Sequence, residues 1–364
     1  MGWLRATTGG VHGLGGAVRH GWLAHSLLQA ALFSPPRPFK LTWALTFRCH
    51  HRCTSCRIWA RDKGLELTAD QFGRVLASLP SLRWLDLTGG EMTARRDIAE
   101  LGRQLQRHAP KLAMLHFPTG GALPEATVAA VRALQWPGGP RVVVTVSFDG
   151  PAAVHDQLRG VPGAFERACE TWRQLAALPQ VALFAGFTAQ PGNVDQLAAT
   201  VAALQAALPD FSVAQLHVNV MHRSPHYFGN TDLPGLDTHS ALQFVAQVRA
   251  LKAATDPFGA VEAAYLRLLP AYLQTGRSPV PCRAAEISAY IAPDGTVFAC
   301  TIDDRPVGHL ADFDFDFDRL WQAHQRRAIR AAVAADRCPG CWTPCEAHPT
   351  LLTQPLAAAR ARAG

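Results

Sequence analysis

Six short segments of the chain are β-rich: Leu41–Phe47, Trp84–Thr88, Leu112–Phe117, Val142–Phe148, Val181–Thr188 and Val213–Met221. Between and after them apolar positions recur at helical spacing, over Thr68–Leu79, Asp97–His108, Pro124–Leu134, Gly163–Leu178, Asn193–Leu208 and Thr238–Ala254. Thr68 ahead of Asp70 and Asn193 ahead of Asp195 are suitable helix caps. Six strand-helix repeats predict parallel strands with right-handed crossovers. Such an array closes into a barrel, stays a partial barrel, or opens into a doubly wound sheet. In all three, reactive residues gather where strands run into helices, so any motif can be checked against its place.

The alternation stops near residue 258. Ala260–Tyr272 reads as a helix, and from Pro279 the chain is turn-rich and bears cysteines. Tyr290 to Cys300 has the pattern of a hairpin about Pro293-Asp294-Gly295. At the other end, Trp22–Phe33 with Trp3, Leu14 and Val18 predicts an amphipathic helix, stopped by Pro35, Pro36 and Pro38. It is read as packing on the body of the protein, with peripheral membrane contact through residues 14–33 as the alternative. The boundaries are an N-terminal extension over 1–38, a repeat domain over 39–258, and a cysteine-bearing domain with tail over 259–364.

With 48% hydrophobic and 17% charged residues the chain is neither disordered nor fibrous. No apolar run is long enough to span a bilayer. The net charge of +7 comes from arginines spread along the chain, with only four lysines, so no nucleic-acid stripe is expected. The nine cysteines cannot all pair, and no secretory leader is legible. A reducing, cytoplasmic compartment and metal-binding thiols follow.

Cys49-x3-Cys53-x2-Cys56 directly follows the first predicted strand. Three thiolates at this spacing suit three irons of a [4Fe-4S] cubane and leave the fourth open, the arrangement that separates a catalytic metal from a structural one. Zinc with His50 or His51 as fourth ligand is the other reading.

This loop resembles that of the radical S-adenosylmethionine (SAM) enzymes, in which the open iron is chelated by SAM and one electron cleaves it to a 5'-deoxyadenosyl radical. Thr88-Gly89-Gly90-Glu91-Met92 after the second strand is similar to the family's GGEP motif, which implies that Gly89, Gly90 and Glu91 hold the SAM amino group. Ser147-Phe148-Asp149-Gly150-Pro151, with His155-Asp156 and Arg159-Gly160, looks like the SLDGP…HD…RG run of the peptide- and sugar-modifying branch. It implies that Ser147, Asp149 and Arg159 lie near SAM, Arg159 meeting its carboxylate. Two departures stand out: Ser55 where an aromatic residue often precedes the third cysteine, and Met92 for the motif's proline. An adenine contact is then sought elsewhere, for instance at Trp59.

Cys282-x12-Gly295-x4-Cys300, followed by Cys338, Cys341 and Cys345, resembles the SPASM and twitch extensions of that superfamily. Five cysteines allow one auxiliary [4Fe-4S] cluster with complete thiolate ligation, first choice Cys282, Cys300, Cys338 and Cys341, with Cys345 as substitute. A zinc ribbon is the alternative. Cys169 reads as packing, His217 as a core residue, and His222–Asn230 as a polar loop on the active rim. Asp303 and Asp304 are candidate acid/base groups or plain loop carboxylates.

The resemblance implies an α/β fold, a partial (β/α)6 TIM-like barrel with a small C-terminal iron-sulfur domain. The implied activity is reductive SAM cleavage and hydrogen-atom abstraction from a carbohydrate, lipid-like or peptide substrate, with a flavodoxin- or ferredoxin-type electron donor. An iron-sulfur or zinc binding or electron-transfer protein without SAM cleavage is the alternative. No general acid or base is singled out.

Overall fold

The computed structural model describes residues 14–252 and 257–361. Trp3 and Ala254, counted above in predicted helices, lie outside them. An N-terminal helix α1 (Leu14–Leu32) precedes the repeats. These run β1 (Lys40–Thr46), α2 (Ala69–Ala77), β2 (Trp84–Gly89), α3 (Ile98–His108), β3 (Met114–Thr119), α4 (Pro124–Ala133), β4 (Arg141–Ser147), α5 (Ala152–Arg159), α6 (Ala164–Ala176), β5 (Val181–Ala189), α7 (Leu197–Ala207), β6 (Leu216–Val220) and α8 (Thr238–Leu251). Then come α9 (Pro257–Thr275), β7 (Ser288–Ile291), β8 (Thr296–Phe298), β9 (Pro306–His309), α10 (Phe317–Trp321), α11 (His324–Ala334), α12 (Pro344–Thr353) and α13 (Pro355–Arg360).

Among the described residues all strands share one sheet of nine, ordered β6-β5-β4-β3-β2-β1-β7-β8-β9, parallel from β6 through β7. The sheet does not close, so the barrel is partial, as expected. Strand periodicity divides its two faces. Leu41, Trp43, Leu45, Leu85, Leu87, Leu115, Phe117, Val142, Val144 and Val146 are buried in the main core with the helices. The alternate positions, among them Lys40, Thr42, Asp86, His116, Thr145, His217 and Asn219, face inward. The inner face is therefore polar, and several of its residues are only partly buried.

Several elements differ from the sequence pattern; Asn193 does not cap α7, which begins at Leu197 after Gln196. Residues 213–215 form a 3-10 turn, since the Ser212 side chain accepts from the Ala214 amide and Gln215 closes a capping box, so β6 begins only at Leu216. The third strand runs two residues further than its apolar pattern. Pro118 fits there because β2 has already left the ladder at His116, and the proline pairs only with β4. Helix α5 was not anticipated. It is short and stopped by Gly160 at φ 64°, a left-handed C-cap.

The cysteine-bearing segment is stitched to the barrel by its backbone. Strand β7 pairs in parallel with β1, Lys40 opposite Ser288 and Trp43 opposite Ile291, covering an otherwise free edge. The expected hairpin is present, with Gly295 at φ 93°. Helix α1 packs on the body through Ala30, Leu23 and Leu27 against Phe39 and Ile287, while Val18, Leu28 and Leu32 on it are exposed. Among the described residues no helix is long and apolar enough to cross a membrane.

Candidate active site

The loop carrying Cys49, Cys53 and Cys56 leaves the carboxyl end of β1 and is clamped on three sides by backbone hydrogen bonds. The Gly90 and Glu91 amides donate to the Thr46 and Arg48 carbonyls at 2.7 and 2.8 Å. The Arg52 and Thr54 amides donate to Arg159 and Leu158, using carbonyls at the end of α5. The Arg57 amide donates to Phe228, and Asn230 Nδ2 to the Ser55 carbonyl at 2.8 Å.

Gly89 and Gly90 serve this clamp. A Cβ on Gly90 would stand 2.0 Å from the Arg48 carbonyl oxygen, and one on Gly89, at φ 113°, 2.2 Å from that of Thr46. Close approach is needed here to the neighbouring loop, where the sequence had suggested a ligand. Likewise Gly120 leaves room for His51, whose ring a Cβ would meet at 2.4 Å.

Around the loop lie the predicted companions. Glu91 is buried and accepts from Thr119 Oγ1 and the Gly120 amide, both at 2.9 Å. Burial raises its pKa, only partly offset by those donors. Arg159 binds Asp149 at 2.6 Å and points Nη1 at Cys53 Sγ, 3.8 Å away. Burial alone would lower its pKa, but Asp149, Cys53 and Cys49 raise it, so the guanidinium stays charged. Asp149 also accepts from the Thr188 amide. Ser147 ends β4 on the inner face, partly buried. Trp59 donates to the Cys53 carbonyl at 3.3 Å, with Arg52 over its ring.

Burial pushes the Cys49 thiol up to about 11 and that of Cys56 to about 12, and Cys53 upward as well. His51, neutral through burial with a pKa of about 3, has neither ring nitrogen hydrogen-bonded. His155 accepts from the Asp149 amide at Nδ1, so its proton sits on Nε2, which is buried and unpartnered. His50 Nε2, Thr93 Oγ1 and Arg159 Nε are orphaned too. Partly buried thiols ringed by unsatisfied polar atoms fit a polar, iron-bearing group.

In the C-terminal segment Cys282, Cys300, Cys338 and Cys341 form a mutually interacting set: Cys282 feels Cys341 and Cys338, and Cys300 feels Cys341 and Cys282. Their sulfurs already accept amide hydrogen bonds, Cys282 from Ala284, Cys300 from Ile302 and Asp303 at 3.3–3.4 Å, as cluster thiolates do. Burial pushes the Cys345 thiol up to about 12; it neighbours Lys40 and Asp86 of the barrel and also Glu346 and Cys341. Among the described residues no three His, Cys, Asp or Glu side chains yet converge on one metal-binding point. Cys56 packs against the cluster of Tyr227, Tyr290 and Phe298, and β8 leads on to Cys300.

Other readings are sharpened. Cys169 is fully buried, as expected. His217 is no core residue: its side chain is 22% exposed and turned to Glu262. His222 is a tie, not a rim ligand, since Nδ1 meets the Val220 carbonyl and Nε2 accepts from the Trp342 amide. His226 spans to the Cys300 carbonyl at 3.1 Å. Asp303 is buried and paired with Arg305.

The fold, a partial parallel barrel with a three-cysteine loop after its first strand and a cysteine-bearing extension, is the one expected from the resemblance to the radical SAM enzymes. Residues 282–343 match the SPASM family, an iron-sulfur cluster-binding domain. The fold is similar to that of anSMEcpe solved with bound AdoMet: TM-score 0.60, 16% identity, 81% of this chain and 80% of that one covered. Among curated relatives it is 31% identical to the pre-heme d1 synthase of Dinoroseobacter shibae, over 40% of this chain and 37% of that protein. It is 33% identical to the AdoMet-dependent heme synthase of Methanosarcina barkeri, over 36% of this chain and 37% of that protein. The chain thus spans little more than a third of the length of the curated relatives it matches.

Proposed function

We propose that the chain is an enzyme that cleaves SAM reductively and uses the resulting 5'-deoxyadenosyl radical to abstract a hydrogen atom from a small-molecule substrate. The carrying observation is the Cys49–Cys56 loop, clamped at the carboxyl end of β1 and ringed by buried, unsatisfied polar groups. Cys49, Cys53 and Cys56 would hold a [4Fe-4S] cluster, which when bound supplies the electron for SAM cleavage. Glu91, kept in place by Thr119 and Gly120, would receive the SAM ammonium. Arg159 provides a fixed positive charge beside Cys53, and Asp149 holds it there. Gly89 and Gly90 set the loop's position, and Ser147 lines the same mouth of the barrel. Cys282, Cys300, Cys338 and Cys341 would hold one auxiliary [4Fe-4S] cluster, with Cys345 left to the barrel floor.

The names of the relatives favour a tetrapyrrole substrate over the peptide, carbohydrate or lipid-like ones. A flavodoxin- or ferredoxin-type donor in the cytoplasm completes the reading. Anaerobic reconstitution should give about eight irons per chain, and dithionite with SAM should release 5'-deoxyadenosine. Stoichiometric zinc, or no SAM cleavage by a fully loaded protein, would overturn it.

A further inference from the structure

Helix α1 is apolar on two faces. Its inner face packs Leu23, Leu27 and Ala30 on Phe39 and Ile287. Over residues 16–32 the exposed positions recur at helical spacing, and the side chains there are aliphatic except for His25 and Gln29. Leu28, Leu32 and, just past the helix, Phe33 are 58%, 65% and 71% exposed. A helix lying on a protein surface ordinarily turns charged residues outward. None of these exposed positions carries Lys, Arg, Asp or Glu, so the outer stripe suits a partner better than it suits water.

The charges beside this helix are mostly positive. Arg19, on α1 itself, donates to the Leu112 carbonyl at 3.0 Å, and Lys111, exposed, stands over the Trp22 ring, so their partners are a carbonyl and an indole rather than carboxylates. At the other end Arg283 donates to the Ala30 carbonyl, and Ser34 Oγ donates to Glu286 at 2.7 Å. Glu286 is shared by Arg283 and Arg330, both at 2.5 Å, and the half-exposed Arg37 pairs with Asp318. Five cations, Arg19, Arg37, Lys111, Arg283 and Arg330, thus stand against the two carboxylates Glu286 and Asp318. An apolar stripe collared by surplus cations has both properties of a helix that lies in the interface of an anionic bilayer: apolar area for the acyl boundary and Lys or Arg for the headgroups. A second copy of the chain fits less well, because a two-fold contact repeats each patch and would set like charges together.

We propose that the outer face of α1, together with Phe33, binds an anionic phospholipid surface peripherally while the inner face keeps the helix on the barrel. Packing on the body and contact with a membrane are then properties of two faces of one helix. Arg19 bonds carbonyls at Pro110, Leu112 and Gly138, just ahead of β3 and β4, so the lipid would meet the amino ends of the strands. The cysteine loop, at the carboxyl end of β1, stays clear of it. The inference does not depend on the SAM chemistry.

The test is flotation of the full chain, reconstituted anaerobically, with vesicles of phosphatidylcholine and phosphatidylglycerol in equal parts, and with vesicles of phosphatidylcholine alone. The anionic vesicles should bind at least about 10-fold more tightly, because each basic residue near an anionic surface strengthens binding about 5-fold. High salt should remove most of that difference. Leu28→Gln, Leu32→Gln and Phe33→Gln combined should weaken binding about 10-fold or more through lost apolar burial. Lys111→Gln should weaken binding to the anionic vesicles about 5-fold and leave the neutral ones unchanged. All four positions are exposed, so circular dichroism and iron content should match the parent. Where a variant is not folded, the comparison of the two lipids with the unmodified chain decides. No binding to anionic vesicles, equal binding to both lipids, or unchanged binding by the folded triple variant would overturn the proposal. So would a dimer, seen by light scattering, that the triple variant dissociates. Release of 5'-deoxyadenosine is measured in parallel, so a failure of the SAM reading is seen separately from a failure of lipid binding.

Discussion

Lys40→Met tests the energetics of the barrel floor. In the folded protein the Lys40 ammonium is fully buried, with Asp86 at 2.8 Å and Thr42 Oγ1 at 2.9 Å. Burial alone would raise the Asp86 pKa, but Lys40 and His116 hold it well below the usual carboxylate range. Without Lys40 the carboxylate keeps only the Trp84 indole at 2.7 Å and His116. Removing one partner of a buried pair costs about 3–5 kcal/mol. For 364 residues the unfolding entropy is about 0.8 kcal/mol/K, so Tm should fall by about 4–7 °C. The sign with pH follows from the lowered pKa: the pair's contribution is present above the unfolded carboxylate value of about 4 and is lost as pH falls toward the folded one. The deficit should therefore be largest near neutral pH and shrink below about pH 4. Lys40→Met with Asp86→Leu, which removes both charges, should regain most of the loss. Scanning calorimetry of the anaerobic protein measures all three. A Lys40→Met change within 1 °C of the parent, or a double variant no better than the single one, would refute the reasoning.

Other outcomes follow from the site. Gly90→Ala drives a Cβ into the Arg48 carbonyl at 2.0 Å and should displace the cysteine loop, reducing iron from about eight to about four per chain; Gly21→Ala, exposed inside α1 with nothing within 4 Å, should leave iron unchanged and raise stability by about 0.5–1 kcal/mol. Cys345→Ser should retain about eight irons while Cys300→Ser should retain about four, and the reverse would reassign the auxiliary ligands. Glu346 is raised by burial to about 7 despite Lys40 and Ser288. Its raised folded pKa means the associated stability is full below about pH 4 and falls as pH rises to about 7. Glu346→Gln should remove a pH-dependent loss on the order of 3 kcal/mol, visible as a flatter Tm profile between pH 5 and 8.

By itself the sequence determined the elements and their order, because strand and helix periods are local properties and the crossover rule leaves few arrangements. It also singled out Cys49, Cys53, Cys56 and Glu91, which follow strands, where chemistry in this architecture gathers, while Arg159, at the end of α5, was named only through the resemblance. It misread residues whose meaning depends on a partner far along the chain. His217 alternates with apolar neighbours and so resembled packing, and only Glu262, 45 residues on, shows it facing the cavity. Gly89 and Gly90 were legible as positions of close approach, but the neighbour approached is the backbone of Thr46 and Arg48, a fact of strand pairing. The short helix α5 carries too little apolar periodicity to be seen, yet its carbonyls hold the cysteine loop. Lys40 and Asp86 stand as charges in largely apolar strands. The parallel register of β1 with β2 and β7 brings them together with His116 and Glu346, because burying one charge is tolerable only where the fold supplies its opposite.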